Sequence, residues 1–262
     1  MIEFQDVTIS FEDEVVLANI SFRVEAGDTL IILGASGSGK STILKLILGL
    51  IKPDSGRILI AGRDITDMNE QQLVKTRQSI GMIFQEGALF DSLSVRDNVG
   101  YRLYEEGSME EAEVDAEVEK HLGFVGLEEA IDKMPVELSG GMKRRVGIAR
   151  ALVGSPDIIL YDEPTAGLDP ITKRTIVELM IKLRDMERVT SVFVTHDLHA
   201  ASIIATEYAS TKNGSVSYTR DDESPKLSPV HFIMLLNGAI CFNGSYKELN
   251  SSEESYVRQF VH

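Results

Sequence analysis

The stretch that decides the fold is Gly34-Ala35-Ser36-Gly37-Ser38-Gly39-Lys40-Ser41. It follows the apolar run 29–33, which predicts a buried strand, and it precedes the run 42–49, which predicts a helix. A strand, a glycine-rich turn and a helix are the context in which G-x-x-x-x-G-K-[ST] is typical of a phosphate-binding loop. Glycines let backbone N–H groups close around an anion, and the helix N-terminus adds positive potential. We therefore predict that this loop binds a nucleoside triphosphate, with Lys40 at the β- and γ-phosphates and Ser41 at Mg²⁺.

The composition is that of an ordinary soluble protein, with 43% hydrophobic and 26% charged residues among 262. The single cysteine, Cys241, excludes a disulfide framework and a multi-cysteine metal site. No apolar run reaches transmembrane length, and the first residues lack the basic and apolar regions of a signal peptide. The net charge of −15 argues against nucleic acid as a partner, because phosphate binding needs a basic surface. We therefore expect a cytoplasmic protein.

Strand and helix patterns alternate along the chain and predict an α/β fold. Residues 1–33 alternate like antiparallel strands, whereas later apolar strands such as 80–84 and 157–162 are separated by helical patterns. This alternation indicates a mainly parallel sheet with helices on both faces. We predict a P-loop NTPase core with a mixed, mainly parallel sheet, an N-terminal antiparallel β subdomain and an inserted α-helical subdomain.

The predicted domain boundaries follow changes in composition. Residues 1–86 and 156–208 form the predicted core, and the acidic segment 87–155, with apolar residues at helical spacing, forms the helical subdomain. Residues 209–230 are polar and predict a loop, and two apolar runs after it predict a terminal hairpin. The segment 209–262 is thus predicted to be a polar insertion followed by a C-terminal hairpin and tail.

Four polar residues end the predicted core strands: Gln85, Asp162, Glu163 and His196. Parallel strands end at one edge of a sheet, so we expect these residues beside the phosphate loop. Asp162, a Walker B carboxylate, suits Mg²⁺, and the adjacent Glu163 suits the polarisation of attacking water. Gln85 can contact the ion or the water, and His196 can donate a hydrogen bond to the γ-phosphate. Taken singly, each residue is also typical of a solvated strand end.

A second anion-binding pattern is Leu138-Ser139-Gly140-Gly141-Met142, which opens the predicted helix 143–152. Ser139 is a good N-cap, and Gly140 and Gly141 leave backbone N–H groups bare at the positive end of the helix. Because the first loop already holds the phosphates, we infer that this face completes the site of a second copy of the chain.

Two apolar features have two interpretations each. Phe11, which follows the first predicted strand, could stack on a purine ring or pack in the core. The segment 86–99, directly after Gln85, could form a docking groove for a helix of a partner protein or a buried connector. Its apolar residues are Leu89, Phe90, Leu93 and Val95.

Together the motifs resemble the ATP-binding-cassette (ABC) ATPases. They are, in order, 34–41, Gln85, 138–142, 158–163, Ala166-Gly167-Leu168-Asp169 and Thr195-His196-Asp197. The resemblance implies that Glu163 is the general base, that His196 is the switch histidine and that Phe11 stacks on adenine. It also implies a Mg²⁺ shell of Ser41, Gln85 and Asp162. The catalytic set is Glu163, His196 and Gln85.

The resemblance implies that ATP is shared between two protomers. Ser139, Gly140 and Gly141 would contact the ATP of the opposite protomer, and Asp169 would bridge the two halves. The complete nucleotide-binding set is Phe11, Gly34, Ala35, Ser36, Gly37, Ser38, Gly39, Lys40, Ser41, Thr42, Ser139, Gly140, Gly141 and Asp169.

Within this family the chain resembles the ATPases of phospholipid-trafficking (Mla, mammalian-cell-entry) transporters. The residues concerned are 84–95, Met142 in place of the usual signature glutamine, and 257–260. The resemblance implies three partners: a second copy in an ATP-sandwich homodimer, an integral-membrane permease and a lipid-binding protein of the mammalian-cell-entry type. The net charge of −15 argues against nucleic acid as a further partner, and the resemblance places the ATPase on the inner face of the cell (inner) membrane.

The leading hypothesis is an ATPase subunit that powers a lipid permease. One alternative is a non-transport ABC ATPase of DNA repair, chromosome maintenance or translation, although such proteins typically have two cassettes, coiled-coil insertions or zinc sites. Another is a regulator that binds ATP without hydrolysing it, which Glu163 and His196 disfavour. A subunit for a non-lipid solute also stays open, because the ATPase residues do not encode the cargo.

Overall fold

The structure, a computed structural model, describes residues 1–12, 14–212, 215–220 and 229–261. Residues 213–214 and 221–228 of the predicted polar insertion lie outside the described residues. The strands are β1 (Ile2–Phe11), β2 (Glu14–Val24), β3 (Thr29–Gly34), β4 (Ser55–Ile60), β5 (Arg63–Asp64), β6 (Ile80–Ile83), β7 (Ile158–Asp162), β8 (Thr190–Thr195), β9 (Glu207–Lys212), β10 (Ser215–Arg220), β11 (Val230–Leu236) and β12 (Ala239–Ser245). The α-helices are α1 (Lys40–Ile47), α2 (Glu70–Arg77), α3 (Val95–Glu106), α4 (Glu111–Phe124), α5 (Gly140–Leu152), α6 (Pro170–Lys182), α7 (Leu198–Thr206), α8 (Tyr246–Asn250) and α9 (Ser255–Val261). A π-helical segment, Leu183–Glu187, extends α6.

Six strands form the core sheet in the order β12-β11-β3-β8-β7-β6. Neighbours from β11 to β6 are parallel, and β12 is an antiparallel edge strand. The residues of β3 and β8 are buried along their whole length, as a sheet covered on both faces requires. Leu33 pairs with Thr195, and Val194 pairs with Asp162. The carboxyl ends of β3, β8 and β7 therefore lie side by side at one edge.

The N-terminal sheet, in the order β2-β1-β4-β5, is antiparallel. In β1 the side chains of Ile2, Phe4, Val7 and Ile9 are buried, and they share one apolar cluster with α1. The pattern of alternate buried residues is that of a sheet with one face on the core. The P-loop NTPase fold predicted from the sequence, with its mixed core sheet and its antiparallel β subdomain, is confirmed.

Helices α3, α4 and α5 come between β6 and β7 in the chain, and they pack on one another. The side chains of Val114, Val118 and Leu122 in α4 are buried, as their helical spacing predicts. Ser94 caps α3, because its side chain accepts a hydrogen bond from the N–H of Asp97. The limits 87–155 of the helical subdomain stay a prediction.

The loop predicted for residues 209–230 is wrong for its first part, because β9 and β10 pair there as an antiparallel hairpin. Several contacts with distant residues anchor this hairpin. Val216 and Tyr218 pack against the core, and the N–H of Ala209 donates a 2.7 Å hydrogen bond to Asp185. The stabilising partners lie elsewhere in the chain, so the local polar composition does not indicate the strands.

The predicted terminal hairpin forms around the turn Asn237-Gly238, but it belongs to the core sheet. Strand β11 pairs in parallel with β3, from Val230 opposite Thr29 to Leu235 opposite Gly34. The last segment is therefore part of the fold that supports the phosphate loop, rather than a separate tail. Within the described ranges, no helix is both long enough and apolar enough to cross a membrane.

Candidate active site

The phosphate loop joins the end of β3 to the start of α1. Gly39 has a left-handed backbone with φ of 95°, and a Cβ atom there would lie 2.6 Å from the side chain of Leu17. Only glycine fits both the conformation and the space. The buried hydroxyl of Ser38 has no hydrogen-bond partner among the described residues, which leaves one unused donor within the loop.

Lys40 lies inside this loop, with only 7% of its surface exposed. Its Nζ atom donates hydrogen bonds to the carbonyl oxygens of Gly34 at 2.8 Å and Ala35 at 3.0 Å. Burial lowers the pKa of Lys40, although the nearby carboxylates of Glu163 and Asp162 act in the opposite direction. The ammonium group is thus held against the backbone carbonyl groups at the start of the loop.

The hydroxyl of Ser41 donates a 2.9 Å hydrogen bond to Oδ1 of Asp162. Burial raises the pKa of Asp162, and the hydrogen bond from Ser41 partly offsets this effect. A hydroxyl and a carboxylate oxygen are ligands that Mg²⁺ accepts. In the part of the chain that the structure describes, no group of three or more His, Cys, Asp or Glu could hold a metal. The pair could therefore hold Mg²⁺ only together with other oxygen atoms, such as those of phosphates.

Glu163 contacts the residue that follows β8 and the first residue of α1. Its Oε1 atom lies 3.0 Å from Nδ1 of His196 and 3.8 Å from Nζ of Lys40. Asp162 and Glu163, adjacent in sequence, thus contact different partners. The carboxylate of Glu163 stands between the phosphate loop and the end of β8, where an attacking water could reach it.

Asp197, the residue after His196, is anchored by three hydrogen bonds whose donors the sequence did not identify. Its Oδ2 atom accepts hydrogen bonds from Lys173 Nζ at 2.8 Å and Thr165 Oγ1 at 3.3 Å, and Oδ1 accepts one from Ala200 N–H at 3.0 Å. Burial alone would raise the pKa of Asp197, but these donors lower it below its usual value. Lys173 gave no sequence signal, because a lysine on a helix is usually solvated.

Phe11 and Gln85 are both exposed at the ends of strands or just beyond them. Phe11, at the end of β1, is 46% exposed, so the packing interpretation does not account for its ring. Gln85 is exposed two residues after β6, where Ile83 pairs with Tyr161. This register brings the chain at Gln85 level with Glu163.

The start of α5 forms a second region beside α6. Ser139 caps α5 by accepting a hydrogen bond from Met142 N–H at 3.3 Å, and Ser139 and Gly140 are exposed. A Cβ atom on Gly141 would lie 2.5 Å from Cγ2 of Thr172, so α5 and α6 approach closely there.

Asp169 caps α6 at the same place. It accepts hydrogen bonds from the backbone N–H groups of Ile171 and Thr172 at 3.0 and 3.1 Å. A hydrogen bond from the Thr172 hydroxyl lowers the pKa of Asp169. The structure therefore gathers the residues predicted for the opposite protomer at the first turns of α5 and α6.

Comparison with known proteins agrees with this geometry. A family model described as ABC transporter matches residues 17–166. The intermembrane phospholipid transport system ATP-binding protein MlaF of Haemophilus influenzae is 40% identical over 209 residues, which cover 80% of this chain and 79% of MlaF. The methionine import ATP-binding protein MetN of Corynebacterium glutamicum is 41% identical over 220 residues, which cover 82% of this chain and 61% of MetN. A solved dimeric, post-hydrolysis structure of the ATP-binding cassette MJ0796 with ADP and Pi superimposes with a TM-score of 0.78 at 30% identity, covering 94% of this chain and 98% of MJ0796.

Proposed function

The chain belongs to the ABC transporter family of ATPases, and on that premise we propose that it is the nucleotide-binding subunit of a lipid transporter. Two copies bind ATP between them, and their closure drives a separate integral-membrane permease from the cytoplasmic face of the inner membrane. A lipid-binding protein of the mammalian-cell-entry type is the further partner. The observation that supports the ATPase chemistry is the convergence of Lys40, the Ser41–Asp162 pair and the Glu163–His196 pair at one sheet edge.

In the proposed mechanism the phosphates, the metal ion and the attacking water are each bound by different residues. Lys40 and the N–H groups of the phosphate loop bind the β- and γ-phosphates. Ser41, Asp162 and Gln85 hold Mg²⁺, which supplies positive charge to the phosphate oxygens when bound. Glu163 accepts the proton of the attacking water, and His196 donates a hydrogen bond to the γ-phosphate.

The proposed homodimer rests on the exposed start of α5. Bare N–H groups at the N-terminus of a 13-residue helix favour an anion. The phosphate loop already fills this role for the nucleotide of its own protomer, so Ser139, Gly140 and Gly141 suit the nucleotide of the partner. The structural relative MJ0796 is described as a dimer.

The proposed permease-docking surface consists of Phe84, Phe90, Tyr101 and Tyr104, which are all exposed aromatic residues. The Phe90 ring packs on the Tyr101 ring with centroids 4.7 Å apart. Arg150 stiffens the segment, since its guanidinium donates hydrogen bonds to the carbonyl oxygens of Gly87 at 2.8 Å and Ala88 at 2.9 Å. A rigid aromatic surface next to Gln85 suits a short apolar helix of a permease.

Not every apolar residue of segment 86–99 belongs to this surface. Val95 is buried, and Leu89 packs against the core, so the connector interpretation holds for these two residues. Phe90 is 44% exposed and is therefore the better position for a test of docking.

Lipid is the proposed cargo because MlaF is described as part of a phospholipid transport system. The similar identity of MetN, described as a methionine importer, favours a second candidate, a polar solute such as an amino acid. The cargo is decided by the permease and its binding protein, so the two candidates separate only in the assembled transporter.

The test uses Phe90→Asp in the full chain, with Met186→Asp as the matched control. Met186 is a comparably exposed apolar residue on the π-helical segment. We expect Phe90→Asp to abolish co-purification with the permease and lipid transfer between reconstituted vesicles, while ATP binding is unchanged. Unaffected complex formation and transfer would contradict the docking proposal. A working complex that moves methionine but no phospholipid would contradict the lipid cargo.

A further inference from the structure

Arg144 is a buried cation that reaches from α5 to the loop that follows Glu163. It is 4% exposed. Its Nη1 atom donates hydrogen bonds to the carbonyl oxygens of Pro164 at 2.8 Å and Glu163 at 3.2 Å, and Nη2 donates one to Ala166 at 3.1 Å. A single guanidinium thus binds three carbonyl groups within four consecutive residues.

The loop that Arg144 binds contains a backbone conformation that needs support. Glu163 has φ of 47°, in the left-handed region that residues with a side chain rarely adopt. Such a conformation persists where surrounding contacts over-determine it. The N–H of Glu163 donates to Val194 O at 2.9 Å, and its carbonyl oxygen accepts from Ala166 N–H at 3.1 Å and from Arg144. Arg144 is the only side chain among these partners.

Burial removes most of the hydration of the Arg144 guanidinium, which costs free energy. Burial lowers the pKa of Arg144, and its Nε atom has no hydrogen-bond partner within the described residues. The adjacent Arg145 is also desolvated, but its Nη1 atom donates to Val125 O at 3.0 Å and Gly126 O at 3.2 Å, inside the helical subdomain. Two neighbouring arginines of α5 thus bind carbonyl groups in different parts of the fold.

We propose that Arg144 is a positioning residue, which holds the backbone of Glu163 so that its carboxylate stays between Lys40 and His196. This inference rests on the proposed role of Glu163 as general base. Hydrolysis then requires α5 to be docked against the core, because a displaced helix withdraws the guanidinium from the loop.

The position of Arg144 on α5 gives this contact a second consequence. The first turn of α5 contains Gly140 and Gly141, which are proposed to contact the nucleotide of the partner protomer, and Arg144 lies one turn further along. A shift of α5 on binding that nucleotide therefore also reaches the Glu163 loop of the same chain. Arg144 would link the occupancy of one site to the base of the other.

The first experiment compares Arg144→Lys with Arg145→Lys in the full-length ATPase. Lysine keeps the charge, but its single nitrogen lacks the planar fork by which Nη1 and Nη2 of Arg144 contact the loop from two positions. We expect Arg144→Lys to lower kcat by about tenfold to a hundredfold, the loss typical of a displaced catalytic group, with KM for ATP within about twofold. Arg145→Lys should keep kcat, while both variants should lose similar thermal stability. Equal kcat in the two variants would overturn the proposal.

The second experiment asks whether Arg144 acts through Glu163. Arg144→Lys is combined with Glu163→Gln, and we expect the double variant to hydrolyse ATP at the rate of Glu163→Gln alone, because residues that act as a unit are not additive. The proposal would be overturned if Arg144→Lys lowered the hydrolysis rate of Glu163→Gln by the same factor by which it lowers kcat of the unaltered chain. Arg144→Gln, which removes the buried charge, replaces Arg144→Lys if that variant does not fold. Normal turnover in Glu163→Gln itself would instead refute the role of Glu163, so the two failures are distinguishable.

Discussion

Nδ1 of His196 lies 3.0 Å from Oε1 of Glu163, and the backbone N–H of His196 donates a 3.3 Å hydrogen bond to Oε2 of the same carboxylate. One carboxylate therefore contacts both the ring and the backbone of the residue that follows β8. Lys40 approaches the same carboxylate from the phosphate loop, with Nζ 3.8 Å from Oε1. Glu163 thus connects the phosphate loop with the end of β8, which lie far apart in sequence, and it is the first position to test.

Glu163→Gln should bind ATP normally but hydrolyse it at least about a hundredfold more slowly. The amide keeps the shape of the side chain but cannot accept the proton of the attacking water. The ATP-bound variant should accumulate as a dimer, measured by light scattering after size exclusion. Glu178→Gln, which alters a carboxylate paired with Arg174 on α6, is the control and should hydrolyse ATP normally. Near-normal turnover by Glu163→Gln would place the general base elsewhere.

Lys40→Ala should weaken the binding of Mg-ATP at least about tenfold. A charge-assisted hydrogen bond to phosphate contributes about 1.5–3 kcal/mol, and the substitution removes it. Isothermal titration calorimetry measures the change. Lys45→Ala, an exposed lysine further along α1, is the matched control and should bind as the unaltered chain does. Unchanged affinity in Lys40→Ala would mean that residues 34–41 do not bind the phosphates.

Mixing Lys40→Ala with Ser139→Ala should restore part of the ATPase activity that each variant lacks alone. A heterodimer would have one site with both defects and one site with neither, if each site uses Lys40 of one protomer and Ser139 of the other. The measurement is steady-state ATPase at increasing mixing ratios, with each variant alone as control. If heterodimers form, as shown by tagged co-purification, and no activity returns, the sites are not shared across the interface.

Asp197→Asn should destabilise the protein near neutral pH by about 1–2 kcal/mol, with a smaller effect in acid. The pKa of Asp197 is lowered from its ordinary value of 3.8, so its ionised form contributes stability above that pH. This contribution is lost as the pH falls through the lower pKa of the folded state. Asparagine can still accept the hydrogen bond from Ala200 N–H, so the variant mainly removes the ion pair with Lys173.

Urea unfolding at several pH values between about 3 and 7 measures this difference. The difference in the free energy of unfolding between the unaltered protein and Asp197→Asn should narrow below about pH 4. A gap that is constant over this range would show that the ion pair with Lys173 adds nothing to stability.

Much of the core and the composition of the site could be predicted from the sequence because the relevant signals are local. The apolar run before Gly34 and the Gly-Lys-Ser sequence after it indicate a strand, a turn and a helix without knowledge of any distant contact. Parallel strands share one functional edge, so Asp162 and His196 could be placed together from their positions at strand ends. The roles assigned to these residues stay predictions.

Contacts between distant segments were decided only by the tertiary structure. The ion pair of Lys173 with Asp197, the binding of Arg144 to the Glu163 loop and the anchoring of β9 by Asp185 join residues that periodicity does not relate. A polar side chain in a helix has the same local pattern whether it is solvated or buried against a carbonyl group. Periodicity reports which face of an element is apolar, whereas the partner of a buried charge depends on which elements pack together, and that is a property of the whole fold.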